Sequence, residues 1–159
     1  NEDGITWFIN EIMPIIKMDI PDIKLEIIGH WDKTFIEKFE GESIIFHGFI
    51  ENLAPIISGT LLIVPIRIGS GMRLKIIEAV NHKIPFVTTP VGVEGMYLED
   101  GKDCSITENP TGFANAIIKF HKDRSLQAEM VKNASEKMRT TFSFEQTIKK
   151  RMDFYKLLT

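Results

Sequence analysis

The sequence predicts an α/β domain built on a parallel sheet with flanking helices and ending in a helical tail. Three observations carry this reading. Five short apolar runs recur, "KLEIIG", "SIIFHGF", "TLLIVPI", "PFVTT" and the weaker "CSI", and four are nearly continuous in Ile, Val, Leu and Phe, as in strands covered on both faces. Helix-forming segments separate them, so strand and helix alternate as in βα units with right-handed crossovers. After residue 109 the strand signals stop and only helical patterns follow.

In order, "DGITWFINEIMPIIKM" predicts the first helix and "KLEIIG" the first strand. "WDKTFIEKF" predicts a helix before "SIIFHGF", the short "NLAPIISG" another before "TLLIVPI", and "MRLKIIEAVNHK" a longer one before "PFVTT". In the tail, "PTGFANAIIKFHKD" starts with Pro110 and Thr111 in favourable N-terminal positions. "RSLQAEMVKNASEKMRTTF" repeats apolar residues at helical spacing, and "SFEQTIKKRMDFYKLL" opens on Ser143 as an N-cap.

Size and composition set bounds. At 159 residues with 43% hydrophobic content the chain has room for one well-packed domain, residues 1–159. Nineteen basic against 22 acidic residues give a net charge of -3, which offers no electrostatic footprint for nucleic acid. The lone Cys104 excludes an intramolecular disulfide framework and a cysteine metal cluster, and fits a reducing, cytoplasmic setting. No apolar run approaches a membrane span, and "NEDGITWF" lacks the features of a signal peptide. The start of the chain reads as a cut within a longer protein. The one membrane role left open is a weak peripheral contact through "KKR" at 149–151, against the default of a solvated face.

In an open parallel sheet, ligands bind outside the carboxyl ends of the strands. Glycines stand at four of those ends: Gly29, Gly48, Gly69 with Gly71, and Gly92 with Gly95. At any one strand a glycine is an ordinary turn, but four on one edge form a cleft that a ligand can approach closely. The stretch "GSGMRLKIIEAV" is the most informative. Its glycines let the amides of residues 69–72 converge, and the positive end of the following helix points the same way, so an anion is stabilised there. On a helical wheel Gly71, Lys75, Glu78 and His82 form one polar stripe on an otherwise apolar helix. The plain reading is a solvated face with a Lys75–Glu78 surface pair. The functional one gives a diphosphate to Lys75 and Arg73, with Glu78 receiving the hydroxyls of a ribose. Arg73 is the weaker member, because the wheel turns it to the apolar side. Neither a P-loop nor a dinucleotide fingerprint is present. His30 and His47 stand near strand ends within reach of the cleft, but the default for isolated histidines, these two and His82 and His121 elsewhere, is a structural or solvated role. Trp7 and Trp31 read as packing residues.

The series "LEIIG", "IIFHGFIENL", "VPIRIGSGMRLKIIEAV", "IPFVTTPVGVEGM", "GFANAIIKF" and "FSFEQTIKKRMDFY" resembles, in order and spacing, the C-terminal half of the group 1 glycosyltransferases of the GT-B fold. The resemblance implies a Rossmann-like donor-binding domain whose N-terminal acceptor domain is not in this chain. It implies a hexosyltransferase-type enzyme in full-length form, moving a sugar from a nucleotide-diphosphate sugar to an acceptor hydroxyl with retention, with no cofactor and no metal, and an inactive isolated fragment. By the same resemblance Gly48, Phe49 and Ile50 lie near the nucleobase, Gly69, Ser70, Gly71 and Met72 with Arg73 and Lys75 hold the diphosphate, and Glu78 binds the ribose. Three departures stand out. Ser70 occupies the place of a glutamate the family often carries, which leaves open a non-catalytic nucleotide-binding or interaction module. Lys83 replaces a glycine at the end of the helix. The family's first strand, expected in the centre of the sheet between "KLEII" and "LLIVPI", is missing, so the sheet is expected to be altered or completed by a neighbouring chain.

Overall fold

The computed structural model describes residues 1–143 together with Ile148, Met152 and Lys156. The expected closing helix and the "KKR" cluster lie outside the described residues, apart from Ser143 and those three positions.

The first helix forms as an almost continuous rod over residues 2–19: α1 (Glu2–Trp7), a π-helical turn (Phe8–Ile12) and α2 (Met13–Asp19). Pro14 explains the wide turn. It has no N–H to offer, and Met13 instead donates to Phe8 O, five residues back. Trp7, Phe8, Ile12, Met13 and Ile16 are all buried along one side of the rod. Trp7 and Phe8 meet Phe113 edge-on at 5.8 and 6.0 Å between ring centres.

Each apolar run becomes a strand: β1 (Leu25–Ile28), β2 (Ile44–Gly48), β3 (Leu62–Val64), β4 (Phe86–Thr88) and β5 (Ser105–Ile106). Between them stand α3 (Lys33–Phe39), α4 (Ala54–Ile57) and α5 (Leu74–Asn81), followed by α6 (Pro110–Lys122) and α7 (Arg124–Thr141). Side-chain caps fix three starts. Asp32 accepts from Thr34 N, Asn109 from Gly112 N and Asp123 from Leu126 N, each satisfying an orphan donor of a first turn.

All the strand pairs are parallel, but the sheet is in two pieces, β1–β2 and β3–β4–β5. The altered sheet anticipated from the sequence is therefore present, and the break lies between "KLEII" and "LLIVPI". In β2 the register slips by one residue between Ile27 and Ile28, leaving His47 as the extra residue, its ring 3.5 Å from the Glu26 carboxylate. Two apolar cores cover the strands. One joins the 2–19 rod, β1, Val87 and α6; the other joins β3, β4, α5 and α7 around Ile76, Phe86, Met96 and Cys104. Burial pushes the Cys104 thiol up to about 12, so it packs as a small hydrophobe. Lys137 of α7 binds Glu99 and, at 2.8 Å, the buried Asp103 carboxylate, clamping α7 onto the turn before β5. No described helix is long and apolar enough to cross a membrane.

At the end of α5, Lys83 takes the left-handed backbone that suits the glycine it replaces. Ile84 N donates to Ala79 O and Lys83 N to Val80 O, a Schellman closure that holds Lys83 at φ +58°. A non-glycine residue there is strained by about 1 kcal/mol. Lys83→Gly should therefore stabilise the protein by about that amount in urea unfolding. An unchanged midpoint would show that the turn relaxes around lysine.

Candidate functional site

The carboxyl ends of the strands gather the residues singled out in the sequence. The loop between β3 and α5 is their centre. Its first half is tied down: Arg67 grips Asp3 through two hydrogen bonds, at 2.6 and 3.1 Å, and its guanidinium lies 5.1 Å from the Trp7 ring centre. Thr89 Oγ1 donates to Ile66 O. The second half, from Ile68 to Met72, is exposed.

Arg73 closes this loop from beneath. The predicted start of the helix at Met72 is corrected here: α5 begins at Leu74, and Arg73 is its N-cap in an extended conformation (φ −92°, ψ 100°). The wheel that turned Arg73 toward the apolar side does not apply to a residue outside the helix. Its Nη1 donates to Ser70 O at 2.9 Å, while Nε and Nη2 are buried without a hydrogen-bond partner. The guanidinium lies so close under Gly69 (φ +136°) that a Cβ there would stand 2.9 Å from Nη2. Only glycine fits both the backbone angle and the arginine.

Lys75, half-buried in the first turn of the helix, has its pKa pushed down, first by burial and next by the Arg73 charge, with Glu78 acting in the opposite sense. The surface pair with Glu78 does not form: the Lys75 ammonium donates to Asn1 Oδ1 at 3.2 Å, and Glu78 is exposed. Two cations thus adjoin at one helix start, one with unpaired buried donors and the other with its charged form disfavoured. That is an electrostatic hole for an anion. Gly71 and Met72 complete the loop, Met72 45% exposed.

On the other piece of the sheet, Gly48 closes β2, and Phe49 stands 71% exposed, stacked nearly parallel on His30 at 6.0 Å. Ile50 follows, half-buried. The stack makes His30 part of an exposed aromatic platform, a role its isolated position in sequence did not signal. Arg67 and Asn1 were equally unmarked, since their partners lie 64 and 74 positions away. Trp31 packs on Phe35, and Trp7 is buried. Among the described residues no three His, Cys, Asp or Glu side chains are placed to share a metal ion.

A parallel α/β domain with flanking helices, here with a glycine loop, paired cations and an aromatic platform at its carboxyl edges, belongs to the Rossmann-like class of folds. More specifically, the chain belongs to the group 1 glycosyl transferases, whose family model matches residues 1–123. A curated relative, an uncharacterised 44.6 kDa protein of the cps region of Klebsiella pneumoniae, is 28% identical over 144 residues, covering 84% of this chain and 37% of that protein. Among solved structures, a mutant TarM of S. aureus in complex with Fondaparinux, alpha-GlcNAc-glycerol and UDP superposes with a TM-score of 0.80 at 21% identity, over 96% of this chain and 33% of that one. The C-terminal domain of the group 1 family protein LpcC from Francisella tularensis gives 0.71 at 20% identity, over 89% and 80%. Anabaena HepE in complex with UDP gives 0.68 at 17%, over 90% and 45%. These superpositions establish a GT-B glycosyltransferase fold. The chain spans about a third of the length of the Klebsiella and S. aureus proteins.

Proposed function

We propose that residues 1–159 form the donor-binding domain of a sugar-transferring enzyme, holding the diphosphate of a nucleotide sugar at the start of α5. The observation that carries this reading is Arg73, whose Nε and Nη2 are buried and unpaired beside a half-buried Lys75. The diphosphate lies over Gly69, Ser70, Gly71 and Met72, its oxygens taking the free donors of Arg73 and the Lys75 ammonium. Glu78 accepts from the ribose hydroxyls, and the base rests on Phe49 and His30 beside Gly48 and Ile50. The nucleotide complexes of TarM and HepE support this choice of ligand.

In the reaction the bond from the anomeric carbon to the diphosphate oxygen breaks, and its electron pair leaves with the diphosphate. Arg73, Lys75 and the helix dipole stabilise the charge that develops there, and no metal ion is required for that. An acceptor hydroxyl, presented by a second domain, bonds through its oxygen to the anomeric carbon on the face the diphosphate leaves, with retention, and its proton passes to the departing diphosphate oxygen. The sugar is a hexose or a relative of one, and the chain by itself transfers nothing.

Titration of UDP, GDP and ADP by calorimetry, with UMP, GMP and AMP as the monophosphate controls, tests the reading. One diphosphate should bind more tightly than its monophosphate, and Lys75→Ala should weaken that binding roughly tenfold or more, the loss of one charge-assisted contact. Equal affinity in the variant would remove Lys75 from the site, and no binding of any diphosphate would end the proposal.

A further inference from the structure

Thr88 and Thr89 are two of the three buried polar or charged residues among those described, and the third, Asp103, is paired with Lys137. A buried hydroxyl costs free energy unless it is bonded, and both of these donate to backbone carbonyls at the exit of β3. Thr88 donates to Val64 O at 3.1 Å, and Thr89 donates to Ile66 O.

The two acceptors differ in kind. Val64 is the last residue of β3 and stands opposite Thr88 in the parallel register, so the Thr88 hydroxyl reinforces a strand that the ladder already holds. Ile66 lies beyond the ladder. Continued by two residues, the register would set it opposite Pro90, but β4 ends at Thr88 and the chain turns at Pro90. The donor that meets Ile66 O is a side chain instead. That hydroxyl is itself fixed, because Thr89 is 3% exposed and its oxygen accepts from Gly92 N at 3.1 Å. Gly92 N also donates to Thr89 O at 2.9 Å, which closes the turn. A Cβ on Gly92 would overlap the Thr88 hydroxyl, so the turn rests directly on the threonine pair.

At Ile66 the β3–α5 loop begins to leave the sheet, and four residues on, Ser70 O accepts from Arg73. The loop is therefore pinned at two carbonyls, Ile66 O by Thr89 and Ser70 O by Arg73, with the exposed Ile68 and Gly69 between them. Arg67 also binds Asp3, but both side chains of that pair are exposed, and salt screens it. A buried hydroxyl bond is not screened in this way.

We propose that Thr89 is a positioning residue for the nucleotide: it does not touch the ligand, and through Ile66 O it sets where the loop from Ile68 to Met72 stands over Arg73 and Lys75. The inference rests on the diphosphate lying on that loop. Thr88, one residue earlier and equally buried, holds the strand alone.

Calorimetry on three variants tests this, with UDP, GDP and ADP each set against its own monophosphate. Thr89→Val keeps the shape and removes the donor to Ile66 O. It should cut the preference for diphosphate over monophosphate by about three- to tenfold, the range of one hydrogen bond's net worth. The base rests on Phe49 and His30, on the other piece of the sheet, so the monophosphate should lose less. Thr88→Val deletes an equally buried hydroxyl and should lower Tm at least as far, yet leave that preference within about twofold of the original. Thr89→Ser restores the donor and should restore the preference. A loss confined to Thr89→Val supports the proposal. An unchanged preference in Thr89→Val, an equal loss in Thr88→Val, or no recovery in Thr89→Ser would overturn it. If Thr89→Val does not fold, Thr89→Cys, with its weaker donor, takes its place under the same outcomes. If the unaltered protein binds no diphosphate, the reading of the site falls and this inference with it; binding that Thr89→Val leaves untouched removes the inference alone.

Discussion

Arg73→Ala should lower the affinity for a nucleoside diphosphate by roughly 10–100-fold, about 1.5–3 kcal/mol, while leaving the unliganded protein as stable as before or more so. The opposite signs come from one arrangement. In the free protein the guanidinium satisfies Ser70 O with Nη1 and leaves two buried nitrogens unpaired. Deleting it loses one exposed hydrogen bond but relieves that desolvation and its repulsion of Lys75. A gain of about 1 kcal/mol would raise Tm by roughly 2–4 °C. A merely structural arginine would give the reverse, lower Tm and unchanged binding, and that outcome would remove Arg73 from the site. The pH dependence gives a second reading. The folded Lys75 titrates below its ordinary value of 10.5, so between the two values the unfolded chain binds more protons and stability rises with pH. Below that window the charged ammonium costs the folded state; above it the contribution is level. Arg73→Ala should reduce the rise without abolishing it, because burial is the larger cause and stays in place. Thermal melts between pH 8 and 10.5 would measure the difference.

What the sequence made legible is what depends on neighbours in the chain. Five apolar runs became five strands because an alternation of Ile- and Val-rich runs with helical periods leaves few other solutions. The glycines at the strand ends marked the edge of the candidate site for the same local reason, whereas Lys83 was marked only by the resemblance, as a departure from a glycine. Arg73 was misread through a single helix boundary. Two residues' difference in where α5 begins separates a side chain on an apolar face from one folded under the β3–α5 loop. The contacts that tie the loop to the rod, Asp3 to Arg67 and Asn1 to Lys75, span most of the half-chain between them and have no sequence period. The split sheet was foreseen by resemblance, whereas the cavity beside the break, lined from the rod, α4 and α5, follows from how those helices pack there.

Gly4→Ala should destabilise the protein by about 2–3 kcal/mol, a fall of roughly 5–10 °C in Tm, although the same change in an exposed helix stabilises by up to about 1 kcal/mol. Gly4 lies in the first turns of the rod and is buried against the segment leaving β3. A Cβ there would overlap the Pro65 carbonyl oxygen and stand 3.0 Å from its carbon. The obstacle is backbone, fixed from both sides: Thr88 and Thr89 donate to Val64 O and Ile66 O, and Arg67 is held by Asp3. No side chain can rotate aside, so the rod must lift, and overpacking outweighs helix propensity. Gly41→Ala is the matched control, with nothing within 4 Å of its Cβ position, and should leave Tm nearly unchanged. The lift also carries Asn1 away from Lys75 and loosens Arg67, so Gly4→Ala should weaken nucleotide binding without touching a ligand contact. If it proves neutral in Tm and in calorimetric affinity, the rod does not sit on the segment leaving β3 as described.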